Sequence, residues 1–176
     1  MADCINALRE WTGKARATIV FDSTVDEFTN DGLFDKVKGK SDIAVIGFTT
    51  DGDVFGGFYS VAVTKQDKEI FDPNLFIFSF ESHGRCKTPQ RFVLKEGLKN
   101  ACVEFFKDDS SYGFVWFSVF CSAGFWLGNE KSKSYCKNLS DGFEGIEDTT
   151  LTGPNGDWFI DPYHHCTHLV AVRLSN

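Results

Sequence analysis

Ile43-Ala44-Val45-Ile46-Gly47-Phe48-Thr49-Thr50-Asp51-Gly52-Asp53-Val54-Phe55-Gly56-Gly57-Phe58 is the stretch on which the fold turns. Two runs of β-branched and aromatic residues, Ile43 to Phe48 and Val54 to Val63, flank Asp51-Gly52. That dipeptide suits a type I′ hairpin, whose two central residues both need positive φ. Gly56-Gly57 inside the second run points to a bulge or to a close approach by a neighbouring element.

Outward from the hairpin the strand period continues. In Leu75 to Phe80, Phe76, Phe78 and Phe80 fall on one face and Leu75, Ile77 and Ser79 on the other, so this strand lies between layers. Further strands are expected at 91–95, 101–106, 114–121, 125–127 and 169–174. Leu98, Cys102 and Phe105 would also suit a helix over 95–106, and strand is preferred there. Residues 129–158 are looser, with turns at Asp141-Gly142 and Asn155-Gly156. Before the hairpin, Ile5, Leu8 and Trp11 or Thr12 predict a helix over about 4–12, stopped by Gly13. Ala17 to Phe21 follows as a strand. Residues 26–38 look helical on Phe28, Leu33, Phe34 and Val37, broken in two by Asn30-Asp31-Gly32.

Composition agrees. The 176 residues include 19 Phe, 16 Gly and one Met, and stiff aromatic rings pack well on pleated surfaces. No internal repeat or Pro-rich linker divides the chain. The expected fold is mainly β with a few short helices (α+β), a two-sheet antiparallel β-sandwich flanked by helices, as one domain over residues 1–176.

The net charge of −7 argues against nucleic acid, whose recognition draws on clustered Lys and Arg. No basic residue lies between Lys137 and Arg173, a window holding Asp141, Glu144, Glu147, Asp148, Asp157 and Asp161. Such a run is commonly a solvated loop, and its sharper reading is a patch that docks a basic protein partner. Asp141, Glu144, Glu147, Asp148 and Trp158 are the candidate partner-binding residues. Met-Ala-Asp-Cys has no basic or apolar leader character, and no apolar run reaches membrane-spanning length, so a cytoplasmic location is expected. Six Cys without a Cys-x-x-Cys pair read as reduced thiols. Asn138-Leu139-Ser140 is then a chance glycosylation match.

Chemistry is sparse. Gly39-Lys40-Ser41 would need a glycine where Phe34 stands to make a phosphate loop, and reads as a polar turn. Asp51-Gly52-Asp53 begins like a calcium loop, but Phe55 and Ala62 occupy ligand positions. Asp161-Pro162-Tyr163-His164-His165-Cys166-Thr167-His168 holds three of the four histidines. In an extended strand His164, Cys166 and His168 share a face about 7 Å apart. With Asp161 they are candidate zinc ligands or the centre of a small enzyme, although paired ligand hooks are absent. A polar approach to the last strand is the plainer reading. No Gly-x-Ser-x-Gly elbow exists; a Cys121/His83 pair has no local signature, and 25 acids offer too many carboxylate pairs to choose among. Trp116 and Trp126 belong to apolar runs and read as core. Trp158 is the better candidate for an exposed carbohydrate platform.

Leu8-Arg9-Glu10-Trp11, Ile19-Val20-Phe21-Asp22-Ser23, Phe34 with Lys36-Val37, Asp51-Gly52-Asp53-Val54-Phe55-Gly56-Gly57-Phe58 and Asn74-Leu75-Phe76-Ile77-Phe78-Ser79-Phe80 occur in that order. Together they resemble the TLDc family, and most closely a divergent TLDc-like branch in protists. Ser134-Tyr135-Cys136 and Leu151-Thr152-Gly153 before a closing strand fit the same branch. The family marks Asp51, Gly52, Phe55, Gly56, Gly57, Phe76, Phe78 and Phe80 are structural in kind. The resemblance implies a β-sandwich interaction domain without catalytic residues or cofactor, linked to oxidative-stress resistance, vesicle traffic or the vacuolar proton ATPase. Ala171-Val172-Arg173-Leu174 departs from the Glu-hydrophobic-Trp finish of animal members.

Overall fold

The computed structural model describes residues 1–128, 135–153 and 165–176. Helix α1 (Ala2–Thr12) leads into β1 (Arg16–Asp22), α2 (Asn30–Val37), β2 (Ile43–Thr49) and β3 (Val54–Tyr59). Then come β4 (Ile70–Phe71), β5 (Phe76–Glu81), β6 (Gln90–Val93), β7 (Ala101–Phe105), β8 (Val115–Val119) and β9 (Ala123–Leu127). The last elements are β10 (Tyr135–Lys137), α3 (Leu139–Gly142) and β11 (Cys166–Ser175). The protein is mainly β, two antiparallel sheets forming a sandwich with short helices. One sheet runs β1-β11-β2-β3-β5-β6 and the other β10-β9-β8-β7-β4. β11 thus enters between β1 and β2, antiparallel to both.

Between the sheets lie Phe55, Tyr59, Ile77, Phe92 and Leu169 from the first, and Val103, Phe105, Phe117, Phe125 and Leu127 from the second. Each fully buried Phe contributes about 1.5–3 kcal/mol, which accounts for the heavy use of this residue. Gly57 permits a close contact between the sheets: a Cβ there would lie 2.5 Å from the Phe117 ring. Gly56-Gly57 therefore marks close approach, and the bulge lies nearby between Val54 and Phe55. On the other side of the first sheet, Leu8 of α1 packs with Ala44, Ile46, Phe78, Val170 and Val172. Trp11 stacks on Phe80 with centroids 5.7 Å apart and meets Phe76 edge-on at 6.2 Å. The two faces of β5 therefore serve two layers, as its alternation requires.

Four local expectations are corrected. Asn30-Asp31-Gly32 does not break a helix but forms the first turn of α2. The Thr29 side chain caps the Gly32 N–H, and Asn30 donates to the Gly113 carbonyl at 2.5 Å. Gly32 is required there because a Cβ would meet the Glu27 carbonyl oxygen at 2.4 Å. The Asp51-Gly52 hairpin is not type I′. Gly52 has φ 86 while Asp51 is not left-handed, and the Gly52 N–H bonds to the Thr49 carbonyl. This is a three-residue loop with its glycine at the bulge position. Its second strand stops at Tyr59 rather than Val63. Asp141-Gly142 belongs to the short helix α3 rather than to a turn, because Leu139 and Gly142 are buried against the sandwich.

Candidate functional site

The hairpin end of the molecule carries a network that begins with Arg85. In the loop after β5, Glu81 Oε1 accepts the Ser82 and His83 N–H groups, and Ser82 Oγ accepts that of Cys86. His83 and Gly84 are both left-handed, which turns Arg85 back toward the hairpin. Arg85 Nη2 donates to Asp53 Oδ1 at 2.6 Å and to the Leu151 carbonyl at 2.9 Å, while Nε donates to the Thr150 carbonyl at 2.9 Å. Asp53 is nearly sealed from solvent, so its charge needs this partner. His83 Nε2 lies 2.7 Å from the Asp51 carbonyl; a carbonyl only accepts, so Nε2 carries the proton.

The segment held by Arg85 is the acidic one. Leu139, Phe143, Ile146 and Leu151 point inward as buried anchors. Between them Asp141, Glu144, Glu147 and Asp148 are all exposed. Backbone bonds from Glu144 N–H to the Val93 carbonyl and from Lys95 N–H to the Gly142 carbonyl tie the segment to the end of β6. Asp148 Oδ1 accepts both the N–H and the hydroxyl of Ser140, so this acid also braces α3. Among the described residues, Asp141, Glu144 and Glu147 form no ion pair. A cleft of about 340 Å³ separates Glu147 and Thr149 from Arg85 and Cys86. Cys136 of β10 is buried, its thiol pushed up to about 12 by burial and therefore un-ionised.

Two stretches remote in sequence, Asp51 to Phe58 and Leu151 to Gly153, thus meet through one arginine, over a sandwich of defined strand order. A family model for the TLDc domain matches residues 2–158. The chain belongs to the TLDc family. No curated protein matches it. The TLDc match ends before β11, which nonetheless is an interior strand of the larger sheet, between β1 and β2.

Asp51 and Gly52 close the hairpin, Phe55 meets Phe125 edge-on at 5.2 Å, Gly56 and Gly57 admit Phe78 and Phe117, and Phe76, Phe78 and Phe80 receive Trp11. The Asp53 carboxylate is occupied by Arg85. Trp158, Asp161 and His164 lie outside the described residues. The expectation that Cys166 and His168 share a face is overturned. A bulge between them in the β11–β2 pairing sends Cys166 inward, against Gly47 and Leu127, and His168 outward. His168 Nε2 bonds to Asp22 Oδ1 at 2.8 Å and its ring stacks on Phe48 at 4.7 Å. His83 and Cys121 have separate partners, Asp51 with Asp53 and Glu69 with Cys102. Trp116 is buried and packs on Trp126 at 4.9 Å.

Arg85 is the residue that sequence reading missed. Ser82-His83-Gly84-Arg85 carries no periodicity, and only the adjacency of a flexible Gly and a lone Arg to the Phe-rich strand hinted at a turn with a purpose. No described helix is long and apolar enough to cross a membrane.

Proposed function

We propose that this TLDc protein acts by binding a protein partner and not by catalysis, with the acidic ridge Asp141-Glu144-Glu147 as its contact surface. One observation carries the reading: three carboxylates with no ion pair among the described residues stand exposed on a segment whose backbone is tied to the end of β6 at Gly142 and Glu144 and to Arg85 at Thr150 and Leu151. Charges on a braced backbone spare the cost of ordering the chain on contact, and they steer a basic surface into register. TLDc membership favours a vacuolar proton ATPase subunit or a trafficking protein as that partner, in a setting of oxidative-stress resistance and on the cytoplasmic side of the membrane.

The experiment is affinity capture from a lysate of the source cell, with wild type beside Asp141→Lys/Glu144→Lys/Glu147→Lys. Asp148 is left intact because it braces α3. A proton ATPase subunit or trafficking protein held by wild type and lost from the triple variant is the expected result. Equal recovery by both proteins rules the ridge out, and a substrate turned over by the purified chain rules out the non-catalytic reading.

A further inference from the structure

We propose that Glu69, Cys102 and Cys121 form a binding site for one divalent cation of zinc type, on the face of the smaller sheet turned away from the larger. A carboxylate oxygen and two sulfurs all lie within 4.8 Å of one another. Sheet register produces this convergence. Ala101 and Val103 face the core, so Cys102 between them faces the other way. β4 places Phe71 opposite Cys102, and Glu69, two positions earlier, shares that face. β8 places Ser118 opposite Cys102, with its hydroxyl 3.2 Å from the thiol.

The turn after β8 then folds Cys121 back over Cys102. It does so through two consecutive left-handed non-glycine residues, Phe120 (φ 55) and Cys121 (φ 58). Each such residue costs roughly 1–2 kcal/mol, and glycine would make the turn freely. The strain is held by the Phe120 N–H on the Asn100 carbonyl at 3.0 Å and the Ser122 N–H on the Val119 carbonyl at 3.2 Å. Backbone strain maintained at a point where three ligand-type side chains meet is the pattern of a binding site.

The ligand set selects the ion. Two thiolates and one carboxylate suit zinc and its soft neighbours, whereas magnesium and calcium take oxygen shells. Tetrahedral bonds of 2.0–2.3 Å place ligand atoms roughly 3.3–3.8 Å apart, a closure of about 1 Å. On binding, both thiols release their protons to solvent. Two Sγ–metal bonds and one O–metal bond form, with a water in the fourth position on the exposed Cys121 side.

The test is titration of the reduced, full chain with Co²⁺, read by the thiolate-to-cobalt charge-transfer band and the tetrahedral d–d bands. One ion per chain, displaced by Zn²⁺, is expected. Cys121→Ser sits at an exposed turn and leaves folding intact, and Glu69→Gln keeps the side chain's size; each lowers affinity at least about tenfold. A folded wild-type protein without a thiolate band overturns the proposal, as does a band undiminished in Cys121→Ser. A band lost instead on His165→Ala would move the ion to the histidine segment and overturn it equally.

Discussion

Arg85 Nη2 lies 2.6 Å from Asp53 Oδ1, a carboxylate whose side chain is only 2% exposed. Removing one partner of such a pair strands the other, at about 3–5 kcal/mol. Urea unfolding of Arg85→Ala is expected to show a loss near the lower end, because the Arg85 side chain is 25% exposed. Arg85→Lys keeps the charge but cannot serve Asp53 and two carbonyls together, and recovers less than half. A loss below about 0.5 kcal/mol, ordinary for a surface change, would show that the network is not structural.

Gly57→Ala places a methyl 2.5 Å from the Phe117 ring, across the sandwich. Overpacking of this kind costs about 1–3 kcal/mol. Phe117→Leu in the same chain gives the methyl room, so the double variant should be more stable than the two single losses added. Simple additivity in thermal melts would mean that the contact does not limit sheet separation.

Asp22 governs a low-pH effect. The N–H and hydroxyl of Thr24, and then His168, hold its carboxyl below the ordinary value of 3.8. Asp26 accepts the Asp22 N–H and pairs with Lys36 at 2.9 Å, and so belongs to the same cluster. A depressed native pKa contributes stability above the unfolded value, and that stability is lost as pH falls through the native one. Asp22→Asn should therefore be less stable than wild type at pH 7, with the difference closing below about pH 4. A gap that persists at pH 2 would assign the effect to hydrogen bonding alone.

Asp148 separates bracing from binding. Asp148→Ala removes the acceptor for the Ser140 N–H and hydroxyl, a helix-capping loss of about 1 kcal/mol. Stability should fall while partner capture persists. For Glu144→Lys the reverse is expected, with stability within about 0.5 kcal/mol and capture reduced.

Strand alternation and turn chemistry made the sandwich legible: Phe76, Phe78 and Phe80 against Ile77 in β5 is a pattern only a two-sided strand satisfies. What escaped the sequence were features created by pairing. Asn30-Asp31-Gly32 reads as a break until Gly113 accepts the Asn30 amide from 83 positions away. Cys102 and Cys121 look unrelated at 19 residues apart, yet the β7–β8–β9 register stacks them. Cys166 and His168 show the converse, since a period-two argument fails at any bulge, and the bulge of β11 lies between them. The acidic ridge was legible as charge, but its backbone anchorage was not, because Arg85 reaches the following Thr150 and Leu151 carbonyls from a loop without pattern.

β11 fills the gap between β1 and β2, and Leu169 bonds to Ser23 across 146 positions of sequence. During biosynthesis at roughly 5–20 residues per second, β1 and β2 therefore wait on the order of ten seconds for their common neighbour. Until it arrives, both present open backbone edges, the state in which strands pair with the wrong chain. For this protein the interval on the ribosome, more than the finished fold, is when chaperones matter.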